Sequence, residues 1–464
     1  MPVIKLEKLF YNNKWNKPVS KKVYKNNNPI NLRVLLSNSN KKDVENCVYS
    51  ALGAEKKFKN FSNLKKSEIF KKISEKIIIN ANELAQRESN ELGKDFNSAK
   101  KEIIACAKLW KHASIIVKKK NFKLIKKNKI KLYEFREPVG IVALILPWNF
   151  PMIVMSERLP YILAAGNSVL IKPSENGCLS IDYFIRMIVN LGLPKGVINY
   201  LTGDITTGKH IVNNKNISMI SFTGSTEVGK EIYSKASKTI KRLSLELGGK
   251  NPMIVFIDAN LKLASKEVIY SFIHNAGQCC VSGSKLFIEE KIAKKFLDII
   301  KISLDKIHIF QNTTTTKQYN KIKKIILKAL KNKIPTIYKK KKLFDDEKRI
   351  IYPIIFQPRK KVDYLEKEIF GPILLVRKFK KKKELIKFIN DTNYGLSALI
   401  WTKNKRKAME IASNINFGRI WINGNISQNY PELSIGGYKE SGMNRETGDS
   451  GIKTYSEIKS IIVN

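Results

Sequence analysis

What most constrains this chain is a change of texture at Val139. From there, short apolar, β-branched runs recur as "VGIVALILP" (139–147), "SVLIKP" (168–173), "GVINYLTG" (196–203), "ISMISFTG" (217–224) and "RLSLELGG" (242–249), with helical segments between them. Strands that read as unbroken apolar runs are buried on both faces, and successive strands joined through helices must lie parallel. The pattern predicts a parallel sheet with crossover helices, as in dinucleotide-binding α/β folds. After Gly249 the alternation continues with "NPMIVFI" (251–257), a helix up to Ala276 and "SKLFIEE" (284–290), which predicts a second α/β unit.

The flanking segments read differently. Residues 66–93 and 99–117 carry apolar residues at helical spacing, and the first of these runs closes on Gly93 as a C-cap. The Lys-laced stretch 118–138 alternates in period two and predicts a two-stranded ribbon turning near Lys127-Asn128. The final "GIKTYSEIKSIIVN" (451–464) ends in an alternating, extended segment, able to pair with another strand, including one from a neighbouring subunit. Residues 301–346 are Lys-rich and poor in motifs, and read as peripheral to any site.

The 464 residues, 43% of them hydrophobic, are enough for two or three domains. The formal charge of +46 resembles a nucleic-acid signature. The excess is nearly all Lys, spread along the whole chain among abundant Asn and Ile, as A/T-rich codon usage would give. A dedicated nucleic-acid surface would be more focused and richer in Arg and aromatics. No specific nucleic-acid partner is therefore expected. Five cysteines, an odd number without repeated spacing, argue for a reducing compartment rather than a disulfide framework. Neither His112 nor His274 has a partner at metal-ligand spacing, so no metal is expected. No apolar run is long enough for a membrane span or a signal peptide, which gives a cytoplasmic expectation.

Five stretches can carry chemistry. In "ILPWNFP" (145–151) a strand runs into a rigid turn at the end where α/β sheets bind ligands. There Asn149 either donates an amide N–H to a substrate oxygen or caps the turn. In "LIKPSE" (170–175), Lys172 and Glu175 can donate to and accept from phosphate and ribose groups. In "SFTGSTEVGK" (221–230), Gly224 at a strand–helix junction lets the backbone approach a ligand, and the helix start favours phosphate. This is neither GxGxxG nor a P-loop, and a plain capped helix start also gives Ser225 and Thr226. In "SLELGGKNP" (244–252), Glu246 between two leucines is expected to have a raised pKa and to serve as a general base; the alternative is pairing with a Lys. In "IHNAGQCCVSGSK" (273–285), Cys279 and Cys280 sit among small residues that leave room for an acyl group, although a buried Cys pair is as readily inert.

Together these stretches, with "EIFGPI" (368–373), "NYGLSA" (393–398) and "GGYKESGMNRETG" (436–448), resemble the aldehyde dehydrogenase superfamily in order and spacing over nearly the whole chain. The resemblance implies NAD(P)-dependent oxidation of a non-phosphorylated aldehyde to the acid. It makes Cys280 the nucleophile, Glu246 the general base and Asn149 an oxyanion donor together with the Cys280 N–H. It makes Trp148, Lys172, Glu175, Gly224, Ser225, Thr226, Gly229, Leu247, Glu368 and Phe370 coenzyme contacts. A carboxylate at Glu175 would repel a 2′-phosphate, so NAD is expected over NADP, with NADP possible. Phe150, Ile153, Glu157, His274 and Tyr430 would line the aldehyde tunnel. Glu157 stands where an aromatic is frequent, which suits an aminoaldehyde or betaine aldehyde, unless it merely pairs with Arg158 or a Lys; a semialdehyde is the alternative substrate. Glu246 itself favours hydrolysis over transfer to coenzyme A. Lys285 and Lys367 depart from the family pattern, as does the missing glycine punctuation of 301–346.

The fold expected is α/β with three parts. A Rossmann-type coenzyme domain takes 1–117 and 137–246, and an α/β catalytic domain takes 247–435. A small β oligomerisation ribbon with its tail takes 118–136 and 436–464, serving a homodimer or homotetramer.

Overall fold

The structure, a computed structural model, describes residues 3–27, 32–119, 122–127 and 130–464. Five parallel strands form the heart of the first sheet, in the order Arg242–Glu246, Met219–Thr223, Ile141–Ile145, Ser168–Lys172, Ile198–Tyr200. They are the five runs that the sequence singled out. Ile141–Ile145 and Ser168–Lys172 are buried along their whole length, as strands covered on both faces must be. Antiparallel strands close both edges. Leu9–Tyr11 and Lys14–Asn16 lie beyond Ile198–Tyr200, and Gly442–Met443 lies beyond Arg242–Glu246.

The second sheet is also mostly parallel, in the order Thr336–Lys339, Ile354–Phe356, Ile373–Phe379, Gly283–Glu289, Asn251–Val255, Ser397–Trp401, Arg419–Ile422. Only Thr336–Lys339 runs antiparallel to its neighbour. The crossover from the first sheet to the second is the short "LGGK" link between Glu246 and Asn251, which places the ends of both sheets at one cleft.

Helices pack the first sheet through a continuous apolar core. The sequence run 66–93 becomes two helices, Asn63–Ile79 and Ala81–Leu92, because the chain kinks at Asn80. The second ends as expected, with Gly93 in the left-handed conformation at φ 77°. Asp95 then caps helix Phe96–Ile116 by accepting from the Ser98 N–H. Trp110 of that helix is fully buried, edge-on to Phe70 and tilted against Phe184. Truncating so large a buried ring costs roughly 3–5 kcal/mol, so this contact fixes the helical layer on the sheet.

The ribbon forms as expected from Phe122–Lys127 and Ile130–Pro138; of the turn expected near Lys127-Asn128, Asn128 lies outside the described residues. The tail ends in the extended segment expected of it: a short helix, Gly448–Thr454, leads into strand Ser456–Val463. That strand pairs with the ribbon of its own chain, from Ser456↔Pro138 to Val463↔Lys131. Strand Gly442–Met443, inside the segment assigned to the tail, completes the coenzyme sheet instead. Among the described residues no helix is long and apolar enough to cross a membrane.

Candidate active site

Two cavities meet at the C-terminal ends of the first sheet's strands, and Thr223 lines both. The smaller, about 430 Å³, is walled by Phe150, Ile153, Glu157, Glu246, His274, Cys279, Cys280 and Arg419, among others. The larger, about 950 Å³, is a cleft bounded by Trp148, Lys172, Glu175, Gly224, Ser225 and the segment 315–321.

The cysteine loop is held in place by its backbone. Helix Leu261–Ile273 ends, and Asn275, Ala276 and Gly277 follow with φ 51°, 54° and 71°. Two non-glycine residues in the left-handed region cost about 1–2 kcal/mol each, so neighbouring contacts must enforce the turn. Gln278 does so: its Nε2 donates to the Asn275 carbonyl at 2.9 Å and its Oε1 accepts from the Thr314 N–H at 3.0 Å. Asn251 holds the far side, donating from Nδ2 to the carbonyls of Cys280 (2.7 Å) and Ser282 (2.9 Å). Gly249 must be glycine here, because a Cβ would lie 2.7 Å from the Cys280 carbonyl oxygen. Both cysteines reach the smaller cavity, yet Cys279 is buried in the apolar core while Cys280 is more exposed. The Cys279 contact, burial and the nearby Glu157 and Glu246 all push the Cys280 thiol well above its ordinary pKa. All five cysteines are free.

Glu246 ends its strand facing this cavity, and its Oε1 is buried with no hydrogen-bond partner among the described residues. Burial pushes its pKa up to about 8, against the lowering effect of Arg158. Gly436 leaves room for it, since a Cβ there would sit 3.0 Å from Glu246 Oε1. Asn149 is buried behind the cysteine loop and donates from Nδ2 to the Gln278 carbonyl at 3.0 Å. This contact ties the "PWNFP" turn to the residue preceding the cysteine pair.

The tunnel wall is aromatic and paired in charge. His274 stacks between Phe150 and Tyr270, and burial with nearby Lys94 lowers its pKa to about 4, so the ring is neutral. Ile153 lies on the wall as expected. Tyr430 does not reach it. Its side chain is 53% exposed, because the loop turns Asn425, Ile426, Ser427 and Asn429 to the wall instead. Glu157 is not an isolated carboxylate: Oε2 lies 3.4 Å from Arg158 Nη1, and although burial raises its pKa, Arg158, Arg419 and Asn429 favour its charged form. Arg158 is buried, and its Nε lies 3.9 Å from Glu446 Oε1.

The larger cleft has what a dinucleotide needs. Helix Thr226–Ala236 begins at its edge with Ser225 as cap, accepting from the Val228 N–H. Its free N–H groups and dipole favour an anion. Gly224 stays open to a ligand because a Cβ would collide with the Phe222 ring at 2.4 Å. Lys172 and Glu175 stand together, 4.0 Å apart, with the Lys172 pKa lowered by burial. Glu368 accepts from the Gly249 N–H at 2.9 Å, and burial raises its pKa to about 7. Phe370, at φ 60°, meets Trp148 edge-on at 5.8 Å. Five of the expected coenzyme residues do not line the larger cleft itself: Glu368 and Phe370 stand beside Gly249, Leu247 lines the smaller cavity, the Gly229 backbone packs on Leu247, and Thr226 is buried.

The sequence reading missed several residues. Residues 301–346 are not peripheral: Thr314 anchors Gln278, and Thr315, Thr316, Lys317, Gln318 and Lys321 line the cleft. Asn251 lay inside a quoted motif, and its polar side chain beside Pro252 was the available signal. Arg419 and Asn429 gave none.

The sequence model of the aldehyde dehydrogenase family matches residues 15–461. The chain is 31% identical over 480 residues to a betaine aldehyde dehydrogenase of Bacillus subtilis (strain 168), covering 98% of this chain and 97% of that protein. The crystal structure of an NAD-dependent aldehyde dehydrogenase from Sinorhizobium meliloti superimposes with a TM-score of 0.95 at 30% identity, covering 99% of this chain and 95% of the other. The NAD+ complex of an aldehyde dehydrogenase from Bacillus cereus superimposes with a TM-score of 0.94 at 28% identity, covering 99% and 96%.

Proposed function

This chain belongs to the aldehyde dehydrogenase family, oxidoreductases that act on aldehydes with NAD(P), and we propose that it oxidises its aldehyde to the free acid through Cys280 and Glu246. One observation carries the reading. Cys280 and Glu246, whose buried Oε1 has no hydrogen-bond partner among the described residues, share one cavity, which meets a dinucleotide-sized cleft at Thr223.

The coenzyme cleft fits NAD on its own features: an open helix N-terminus, a glycine at the strand end, and the Lys172–Glu175 pair. Trp148, Lys172, Glu175, Gly224, Ser225, Glu368 and Phe370 would hold it. NAD bound there supplies the hydride acceptor that turns a thiohemiacetal into a thioester. The chain's residues perform the remaining work. Cys280 is a thiol at rest and must lose its proton before its sulfur attacks the aldehyde carbon. The Cys280 N–H and the second amide N–H of Asn149, whose first is given to the Gln278 carbonyl, would steady the oxyanion, and losing one such donor typically costs about 3 kcal/mol. Glu246, once ionised, takes a proton from the water that attacks the thioester carbonyl, and the acid leaves as the Cys280 sulfur is released. The Glu246 carboxyl is buried on the wall of the cavity that holds Cys280, where a base for water favours hydrolysis over transfer to a thiol acceptor.

The expectation of a cationic substrate rested on Glu157 and draws support from the betaine aldehyde dehydrogenase relative. Pairing of Glu157 with Arg158 removes the lone negative charge on which it depended. The exposed Ile458, Ile461 and Ile462 on the ribbon sheet suit burial between copies in a homodimer or homotetramer, which light scattering on the purified chain decides. Free cysteines suit a cytoplasmic setting. The test of the catalytic reading is NADH formation from a panel of aldehydes with NAD and with NADP. No NADH from any aldehyde, with protein that is folded and binds NAD, would overturn it.

A further inference from the structure

The geometry points to Arg419 as an anchor for a negatively charged tail on the substrate, so that the preferred aldehyde carries a carboxylate. The inference rests on the aldehyde-oxidising reading of the cavity. Arg419 begins strand Arg419–Ile422 and reaches the wall shared by Cys280 and Glu246. Its Nη1 donates to Asn429 Oδ1 at 3.5 Å, while its Nη2 is buried with no acceptor among the described residues. A buried guanidinium N–H left without an acceptor is costly, and a ligand tail that draws the fork round into the cavity supplies one and recovers that cost.

The surrounding charges leave Arg419 the under-neutralised group. Arg158 and Arg419 both face the single carboxylate of Glu157, whose Oε2 lies toward Arg158. Arg158 has a second carboxylate in Glu446, at 3.9 Å. Glu246 is mostly protonated at neutral pH and adds little opposing charge. The remaining ionisable groups of the cavity, Lys101, Glu102, Lys266 and Glu267, are of mixed sign, and both lysines are exposed, where water screens them. Arg419, half-buried on the cavity wall, therefore offers the cationic donor for a tail, and the planar fork of a guanidinium matches a carboxylate. A trimethylammonium group in the same place would meet like charge.

The test uses a matched pair on the full-length protein: succinate semialdehyde and its methyl ester, which differ in charge and by a single methyl group. The readout is the acid-to-ester ratio of kcat/KM within each protein, whatever the absolute rate. In the unaltered chain the ratio is expected to exceed about ten, the scale of one charged hydrogen bond. It should fall toward one in Arg419→Gln and recover in part in Arg419→Lys. Betaine aldehyde should be oxidised less efficiently than succinate semialdehyde. A ratio of one or below in the unaltered chain, a ratio unmoved by Arg419→Gln, or a preference for betaine aldehyde would each overturn the assignment while leaving aldehyde oxidation standing. Failure to oxidise either member of the pair, or any neutral aldehyde, would instead remove the catalytic reading on which it depends.

Discussion

Ionisation of Glu246 is the step most exposed to measurement. Its pKa of about 8 means that the carboxyl is mostly protonated at neutral pH and cannot accept a proton from water. The ionised fraction climbs from about one hundredth at pH 6 to about nine tenths at pH 9, by the ordinary titration relation. If thioester hydrolysis limits turnover, kcat rises close to a hundredfold over that range, with its midpoint near the carboxyl's pKa. The direction is fixed by the chemistry, because the base is the ionised form and activity is lost as pH falls through the pKa. Glu246→Gln keeps the size of the side chain and removes the base, which should lower steady-state turnover by roughly 10²–10⁴. Rapid mixing with NAD and aldehyde, followed by NADH absorbance, then shows a burst of about one equivalent per site and a slow second phase. Glu157→Gln tests the electrostatics independently. Glu157 raises the Glu246 pKa, so its neutralisation should move the midpoint below 8. A Glu246→Gln protein that turns over at full rate with an unchanged pH profile would refute the assignment of the base. A midpoint that rises in Glu157→Gln would refute the charge reasoning.

Two further outcomes follow from the packing of the site. Gly249→Ala places a Cβ 2.7 Å from the Cys280 carbonyl oxygen and 2.8 Å from Asn251 Oδ1, which must shift the cysteine loop. The expected result is a loss of kcat of roughly ten- to a hundredfold, from misplacing the nucleophile by a fraction of an ångström, with the thermal midpoint little changed; unaltered kcat would show that the loop tolerates the shift. Glu175→Gln removes the carboxylate beside Lys172 in the cleft, and kcat/KM with NADP should rise relative to NAD by about tenfold, the scale of one relieved like-charge contact. A coenzyme ratio that stays fixed would move the discrimination elsewhere in the cleft.

What could be read in advance follows from how far each signal extends along the chain. Strands such as Ile141–Ile145 and Ser168–Lys172 were legible because burial on both faces imposes a continuous apolar run. Gly93 was legible because only a left-handed residue ends that helix turn. Glu246 was legible because a carboxylate at the end of an apolar strand is locally anomalous. By contrast, the role of Thr314–Lys321 depends on a helix start being folded against Gln278 and the cleft, and a Lys-rich amphipathic segment carries no mark of that. Neutralisation of Glu157 was illegible for the same reason, since Arg419 arrives from a strand of the other sheet. The extended end of the tail was legible from its alternation, whereas the short helix Gly448–Thr454 before it merges in sequence with the strand that follows. Tyr430 was assigned to the tunnel from a loop whose direction only the fold determines.

The central claim is that one of two adjacent sulfurs forms the covalent link. The direct measurement is to quench the reaction with aldehyde and NAD during the first turnover and locate the acyl group by peptide mass spectrometry, in the unaltered chain, in Cys280→Ala and in Cys279→Ala. The expected adduct is on Cys280 in the unaltered and Cys279→Ala proteins, with neither adduct nor NADH from Cys280→Ala. An acyl group on Cys279, or NADH formation that survives the loss of Cys280, would contradict it.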